Sequence, residues 1–356
     1  MNAWKPPIAM HVRARAPLRL GLAGGGTDLS PYCDQFGGAV LNVTIDRFAF
    51  AHIMPEEGGG LVFRARDLGV EERYALDDEI STANGLMLHK AVYLHMVARF
   101  LGGRRMPMAL STTIDAPAGS GLGSSSALVV AMVEAFRTGL ELPLGPYDVA
   151  RTAFEIERVE LGLAGGRQDQ YAAAFGGVNF IEFLPGERAI VNPLRIRRDY
   201  MMEFESSLVI CFSGHSRRSD KIIAEQISGI RELNPETMEN LHRLKDDAVE
   251  MKQALQRGEM RQMGRILMHS WDAKRRTAAG VSTPLIDRLF TAGLQNGAWA
   301  GKVSGAGGGG FLMFCAEPDA RAGLIAALDE AGGVASPVKF TMDGAEGWIP
   351  PVYETA

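Results

Sequence analysis

Residues 117–128 read PAGSGLGSSSAL. A strand is predicted over Met106–Ile114 and a helix over Ser125–Leu140, so the chain passes from one to the other on glycine backbone. Such a joint aims several backbone N–H groups and the positive end of a helix dipole at one point, and missing side chains let a phosphate come close. Three serines after the glycines exceed what a helix cap requires. The lysine of a GxxxxGK[ST] loop is absent, so this is not a Walker A sequence. The candidate anion-cradling residues are Pro117, Gly119, Ser120, Gly121, Leu122, Gly123, Ser124, Ser125 and Ser126.

Glycine is bunched elsewhere too. The chain holds 42 glycines in 356 residues, well above the roughly 7% of average usage. Lys302–Phe311, KVSGAGGGGF, contains a literal GxGxxG at Gly305, Gly307 and Gly310. A dinucleotide fingerprint must open a helix, whereas Phe311–Cys315 reads as a strand. We therefore expect a second glycine surface that closes over phosphates from the other domain, with a tight packing turn as the alternative. In GGRQDQYAAAFGG, Gly165–Gly177, Asp169 sits in a glycine-flanked turn twelve residues after Glu157. One carboxylate there could orient an attacking hydroxyl and the other could hold a magnesium ion.

With 37 basic and 42 acidic side chains, a net charge of -5 and 46% hydrophobic residues, binding to nucleic acid or an anionic membrane through bulk charge is disfavoured. Cys33, Cys211 and Cys315 form no CxxC, which suits a reducing cytoplasm. The start MNAWKPPIAM lacks the order of a signal peptide, and the greasiest run, Ala127–Phe136, is short and carries Glu134; neither a leader nor a spanning helix is expected. The seven histidines form no HExxH, and no nucleophile elbow is present.

Strands are expected at 12–22, where apolar residues alternate with His11, Arg13, Arg15 and Arg19, then at Gly38–Met54, Leu61–Arg66, Gly177–Phe183 and Leu208–Phe212. Helices are expected over Leu86–Leu101, Pro146–Leu161, the amphipathic stretch Met238–Leu255, Glu259–Ala279, Pro284–Gln295 and Ala320–Glu330. A last strand is expected at Val338–Phe340. The charged, irregular segment from 185 to 199 places a domain boundary near residue 200.

Three motifs in order, APLRLGLAGGGTD at 16–28, PAGSGLGSSSAL at 117–128 and KVSGAGGGGF at 302–311, resemble those of the GHMP small-molecule kinases, and the likeness covers essentially the whole chain. The resemblance implies a two-domain α+β fold: an N-terminal α+β nucleotide-binding domain (1–200), a C-terminal ferredoxin-like α+β domain (201–356), and a catalytic cleft between them. ATP and Mg2+ are the implied cofactors. By motif, Asp169 matches the acid that orients and deprotonates the substrate hydroxyl, and Arg19 the basic residue that lowers its pKa and stabilises the moving phosphoryl group. Ser125 and Glu157 match the magnesium ligands, and Ser120 to Ser126 the ATP phosphate loop, with Pro117 and Gly119 beside it as further ATP contacts.

Within the family the likeness is nearest to the sugar kinases acting on D-glycero-D-manno-heptose 7-phosphate and on fucose, which share stretches similar to AGGGTDLSPY and EIERVELGLAGGRQDQYAAAFGG. Phosphorylation of the anomeric hydroxyl of the heptose phosphate, in nucleotide-activated heptose biosynthesis, is the implied reaction. Gly26, Thr27, Asp28, Arg167, Asp169, Gly305, Ala306, Gly307 and Arg217 are the implied substrate contacts. Galactokinases carry Glu and His where this chain has Gly25 and Gly26, which disfavours galactose and leaves room for a longer, phosphorylated sugar. Arg167, with Arg217 and Arg218 of GHSRRSD, would supply cations for that phosphate; a solvated basic helix start is the alternative for the latter pair. A kinase for a free sugar such as fucose, or a catalytically silent nucleotide-binding protein, remains open at this point. The expected partner is a sugar or sugar phosphate, without nucleic acid or membrane, and with room for a homo-oligomer.

Overall fold

The computed structural model describes residues 11–117, 119–186, 188–214 and 220–351. Strand β1 (Val12–Ala23) begins with the expected alternation, Val12 and Ala14 buried and Arg13 exposed, but from Ala16 onward both faces are buried. It is covered on both sides, so the polar parity cannot reach water and Arg19 is drawn inside. After the short helix α1 (Tyr32–Phe36), β2 (Gly38–Met54) runs antiparallel to nearly all of β1. On its other edge β2 is long enough to take two partners in succession. Its first half pairs β6 (Val178–Leu184) and its second half pairs β5 (Met108–Ile114). Strands β3 (Leu61–Ala65) and β4 (Val70–Tyr74) extend the sheet beyond β5, and β7 (Arg188–Pro193) extends it beyond β6. Both β4 and β7 lie where the sequence offered no clear periodicity.

Helix α2 (Met87–Phe100) packs on α3 (Ser124–Gly139), which leaves the glycine loop and lies against β1 and β2. A helix apolar around most of its circumference belongs inside, and α3 is buried from Ser126 through Phe136. Its first turn therefore has a fixed floor. The expected single helix over Pro146–Leu161 is two windings: α4 (Pro146–Phe154) and a π-helical turn over Glu155–Glu160. The wider turn carries Glu157 inward, fully buried; such turns concentrate at functional sites. Helix α5 (Gln168–Phe175) follows.

Helix α6 (Arg198–Ser207) precedes the second sheet, whose order is β11-β8-β10-β9, from β8 (Leu208–Phe212), β9 (Ala298–Val303), β10 (Phe311–Ala316) and β11 (Val334–Pro337). Helices α7 (Asp220–Arg231), α8 (Pro235–Arg257), α9 (Met260–Arg275), α10 (Pro284–Gln295) and α11 (Arg321–Glu330) belong to this half. Helix α9 ends four residues before the expected Ala279, where Thr277 closes a turn on Lys274.

The expected strand at Val338–Phe340 does not close the second sheet. Residues 339–341 bond to Thr44 and Asp46 of β2, and β12 (Glu346–Trp348) pairs with β1. The chain end, expected within the segment 201–356, thus returns to the first sheet, whose β1 edge offers unmatched backbone groups. The three cysteines are free and buried. Among the described residues no helix is long and apolar enough to cross a membrane.

Candidate active site

A cleft of about 330 Å³ lies where the two halves meet. One wall is the loop into α3. Gly119, Gly121 and Gly123 have φ of 69°, 79° and 74°, values that side chains disfavour. The facing wall is the turn between β9 and β10. A Cβ on Gly121 would stand 2.5 Å from the Ser304 carbonyl oxygen, and one on Gly305 would stand 2.7 Å from the Gly121 Cα. Backbone meets backbone here, Phe311 N–H donating to Ser120 O at 2.8 Å, and the Ser304 hydroxyl adds a bond to Gly121 O at 3.0 Å. The two glycine segments, 183 residues apart in sequence where Gly121 meets Ser304, are one surface.

Arg19 projects from β1 beneath that surface. Its Nε donates to Asp169 Oδ1 at 2.8 Å and its Nη2 lies 2.6 Å from the same oxygen. Nη1 donates to Gly121 O at 2.7 Å and to Ser304 Oγ at 3.3 Å. A guanidinium so held is a fixed fork. It ties the carboxylate, both glycine segments and β1 together. Asp169, in the first turn of α5, packs against Gly123, whose added Cβ would lie 3.2 Å from its Cγ. The carboxylate side chain keeps 22% of its surface exposed, while Arg19 keeps 5%. The acid faces the cleft and the cation stands behind it.

Ser125 Oγ donates to Glu157 Oε1 at 2.9 Å, and Gln170 Nε2 to Glu157 Oε2 at 2.6 Å. Arg158 Nη1 is 3.8 Å from Oε1. Among the described residues no group of three or more His, Cys, Asp or Glu could hold a metal. The donor set suits magnesium nonetheless, an ion that keeps waters and substrate phosphates and binds through one or two protein oxygens.

Around Asp28 the first motif is a frame. Oδ1 accepts from Gly26 N–H and Gln168 Nε2, each at 3.1 Å, and Oδ2 accepts from Gln168 N–H at 3.1 Å. A side chain at Gly166 would collide with that carboxylate. Thr27 is wholly buried and bonds to backbone at Gly24 and Ala39.

Of the expected residues, Arg19, Gly26, Asp28, Asp169, Gly119, Gly121, Gly123, Ser124, Ser125, Ser126, Gly305, Ala306 and Gly307 line the cleft. Glu157 stands one hydrogen bond behind it. Pro117, Ser120, Leu122 and Thr27 shape the walls from outside the lining. Arg167 is not brought to the cleft. Its guanidinium pairs with Asp34 at 3.0 Å and lies over the Phe154 ring at 5.4 Å. Arg217, with Arg218 and Ala118, lies outside the described residues.

Sequence reasoning missed Lys274, Gln168 and Arg158, and gave Lys302 no role; all four line the cleft. Lys274 had a signal. It continues the buried stripe of α9 through Met263, Leu267 and Ser270, an odd place for a lysine unless something waits inside. Lys302 likewise stands among buried residues in β9. Burial pulls the Lys274 ammonium down to about 8 and, with Lys274 and Arg19 as neighbours, the Lys302 ammonium down to about 7.

Comparison with known proteins gives matches along both halves. A family model described as the GHMP kinases N terminal domain matches residues 87–177, and one described as GHMP kinases C terminal matches residues 251–334. The D-glycero-alpha-D-manno-heptose 7-phosphate kinase of Campylobacter jejuni is 40% identical over 338 residues, covering 95% of this chain and 98% of that protein. The L-fucokinase/L-fucose-1-P guanylyltransferase of Bacteroides fragilis is 25% identical over 90% of this chain but only 36% of its own length. A crystal structure described as a D-glycero-D-manno-heptose 1-phosphate kinase from Bacteroides thetaiotaomicron superposes with a TM-score of 0.80 and 38% identity, over 96% of this chain and 100% of that one.

Proposed function

Because the chain belongs to the GHMP kinase family, we propose that it transfers the γ-phosphoryl group of ATP to the anomeric hydroxyl of D-glycero-D-manno-heptose 7-phosphate, giving the 1,7-bisphosphate and ADP. The product would feed the synthesis of a nucleotide-activated heptose. The observation that carries the reaction is the Asp169–Arg19 pair set against the helix end that closes the glycine loop. The choice of sugar is supported by the 40% identity to a heptose 7-phosphate kinase across nearly the whole of both chains. The match to a fucokinase is weaker and covers about a third of that protein.

In this reading the sugar lies over Asp28 and Gly26, with its anomeric oxygen at Asp169. The carboxylate orients that hydroxyl and takes its proton as the oxygen bonds to the γ-phosphorus and the bridge to the β-phosphate breaks. Arg19 holds the acid in place and faces the charge on the moving group. The N–H groups from Gly119 to Ser126 and the N-terminus of α3 receive the phosphates. Ser125 and Glu157 would hold magnesium, which when bound screens phosphate charge. With little covalent work to do in a loose transfer, fixed geometry and charge are what the protein supplies.

The test is ADP release with ATP and magnesium against D-glycero-D-manno-heptose 7-phosphate, fucose, galactose and mannose, with phosphorus NMR on each product. A new anomeric phosphate on the heptose phosphate alone is expected. Turnover of a free sugar in preference would keep the kinase and remove the heptose phosphate.

A further inference from the structure

Two cations in the cleft have no part in the mechanism above. Lys274, from the last turn of α9, and Lys302, from β9, keep 4% and 5% of their surface exposed. The Lys274 ammonium donates to Gly25 O at 3.2 Å, and the Lys302 ammonium to Gly21 O at 2.7 Å. Each has three donors, and the described residues provide one acceptor apiece. Neither is ion-paired among the described residues. The carboxylates around them are Asp28 and Asp169 near Lys274 and Asp247 near Lys302. Asp28 already accepts from Gly26 and Gln168, Asp169 from Arg19, and Asp247 from Ser270 and Arg243.

Buried, under-bonded ammonium groups are expensive to keep in a fold unless a ligand completes them. The space before them is kept open. A Cβ on Gly25 would stand 3.5 Å from the Lys274 Nζ and 3.7 Å from Gln168 Nε2, so any longer side chain at 25 would fill the approach. Gly21, whose carbonyl anchors Lys302, lines the same cleft. Both lysines come from the second half of the chain, and both anchors come from β1 and the loop after it.

We propose that Lys274 and Lys302 form a two-lysine seat for a phosphate oxyanion of the bound substrates. The proposal rests on the kinase reading and deepens it, since it says which side chains meet a substrate phosphate once Arg167 has been found outside the cleft. Two phosphates have the required chemistry: the one already on the sugar, and the γ-phosphoryl group of the nucleotide.

A coupled proton follows. The seat is flanked by Arg19, Asp28, Asp169 and Asp247, with Arg158 and Asp220 elsewhere in the cleft lining. Without ligand the lysines release protons near pH 8 and pH 7. A dianion entering between them favours their charged forms, so binding at pH 8 takes up protons from the buffer.

The experiment begins with wild-type turnover of heptose 7-phosphate, which tests the kinase reading separately. Lys274→Met and Lys302→Met are then measured with heptose 7-phosphate and with unphosphorylated heptose. If the seat holds the sugar's phosphate, KM for heptose 7-phosphate rises tenfold or more at near-constant kcat, and the unphosphorylated sugar is handled as by wild type. If it holds the γ-phosphoryl group, kcat falls tenfold or more with both sugars while KM is little changed. Both constants within twofold of wild type, in variants that melt cooperatively, would overturn the proposal. Where a variant fails to fold, wild-type protein is titrated calorimetrically with inorganic phosphate at pH 8 in buffers of different ionisation enthalpy. Net proton uptake is expected, and binding without it, or no binding, counts against the seat.

Discussion

Asp169 is bonded to Arg19 through a single oxygen, Oδ1, and this division of the carboxylate matters more than its presence. An amide at 169 would keep the shape of the side chain but could not take a proton from a hydroxyl. Asp169→Asn is therefore expected to fold, to bind both substrates within a fewfold of wild type, and to lose about two or more orders of magnitude in kcat. Steady-state kinetics beside a thermal melt checks this, and a variant with near-wild-type kcat would remove Asp169 from proton capture. Ser125 works at one remove. In the proposed reading Ser125→Ala would delete one of two protein oxygens offered to magnesium, and it leaves Glu157 bonded to Gln170. The magnesium concentration for half-maximal rate should rise severalfold with a smaller change in saturated kcat. Unchanged metal dependence would strike Ser125 from the ligands.

At the scale of elements, the cleft depends on two glycine segments that touch through backbone, and this sets where alanine is tolerated. Gly305 has φ of 76°, and its Cβ would stand 2.7 Å from the Gly121 Cα and 2.8 Å from the Gly121 carbonyl oxygen. Gly305→Ala should lower stability by about 1–3 kcal/mol and raise KM for ATP, because the loop proposed to receive the phosphates must shift to admit the methyl group. Gly323, in α11, meets nothing within 4 Å. Gly323→Ala should instead add about 0.5–1 kcal/mol. Urea unfolding of the pair separates the two effects, and equal shifts would show that the loops can slide apart. The same contrast explains what was legible in the sequence. Glycine runs bounded by periodic segments marked both loops, because the backbone geometry demands that residue. Local pattern says nothing of the partner 183 residues away. It also hid the π-helical turn that aims Glu157, since apolar spacing there fits an ordinary helix, and it hid β7, whose Arg188–Pro193 pairs only because β6 is already in place. Lys274 was missed although it is a charge on a buried stripe, and its meaning needed the facing Gly25 carbonyl.

For the whole molecule, gathering buried cations into one cleft should be visible as a dependence of stability on pH. The unfolded chain holds lysine protons up to about pH 10.5, whereas folded Lys274 and Lys302 release theirs near 8 and 7. Above neutrality the unfolded state thus binds more protons than the folded one, and stability rises with pH by roughly 1 kcal/mol per pH unit for each lysine. Buried His89, held neutral by burial and lowered to about 4, contributes the same sign between about 4 and 6.5. Cys33, Cys211 and Cys315 act oppositely. Burial raises each thiol from 9 to about 12, so above pH 9 the unfolded chain loses protons first and stability falls. The melting temperature of the protein without substrates should therefore climb from pH 7 to about pH 9 and turn over beyond it, several units alkaline of the sequence pI near 5.9. Lys302→Met should flatten the climb by about half, because the remaining slope belongs to Lys274. Saturating phosphate should flatten it further in wild type, by holding both ammonium groups charged. A melting temperature that falls steadily from pH 7 to pH 9 would mean that the two lysines are solvated in the free enzyme, and that the cleft stands open to water before substrate arrives.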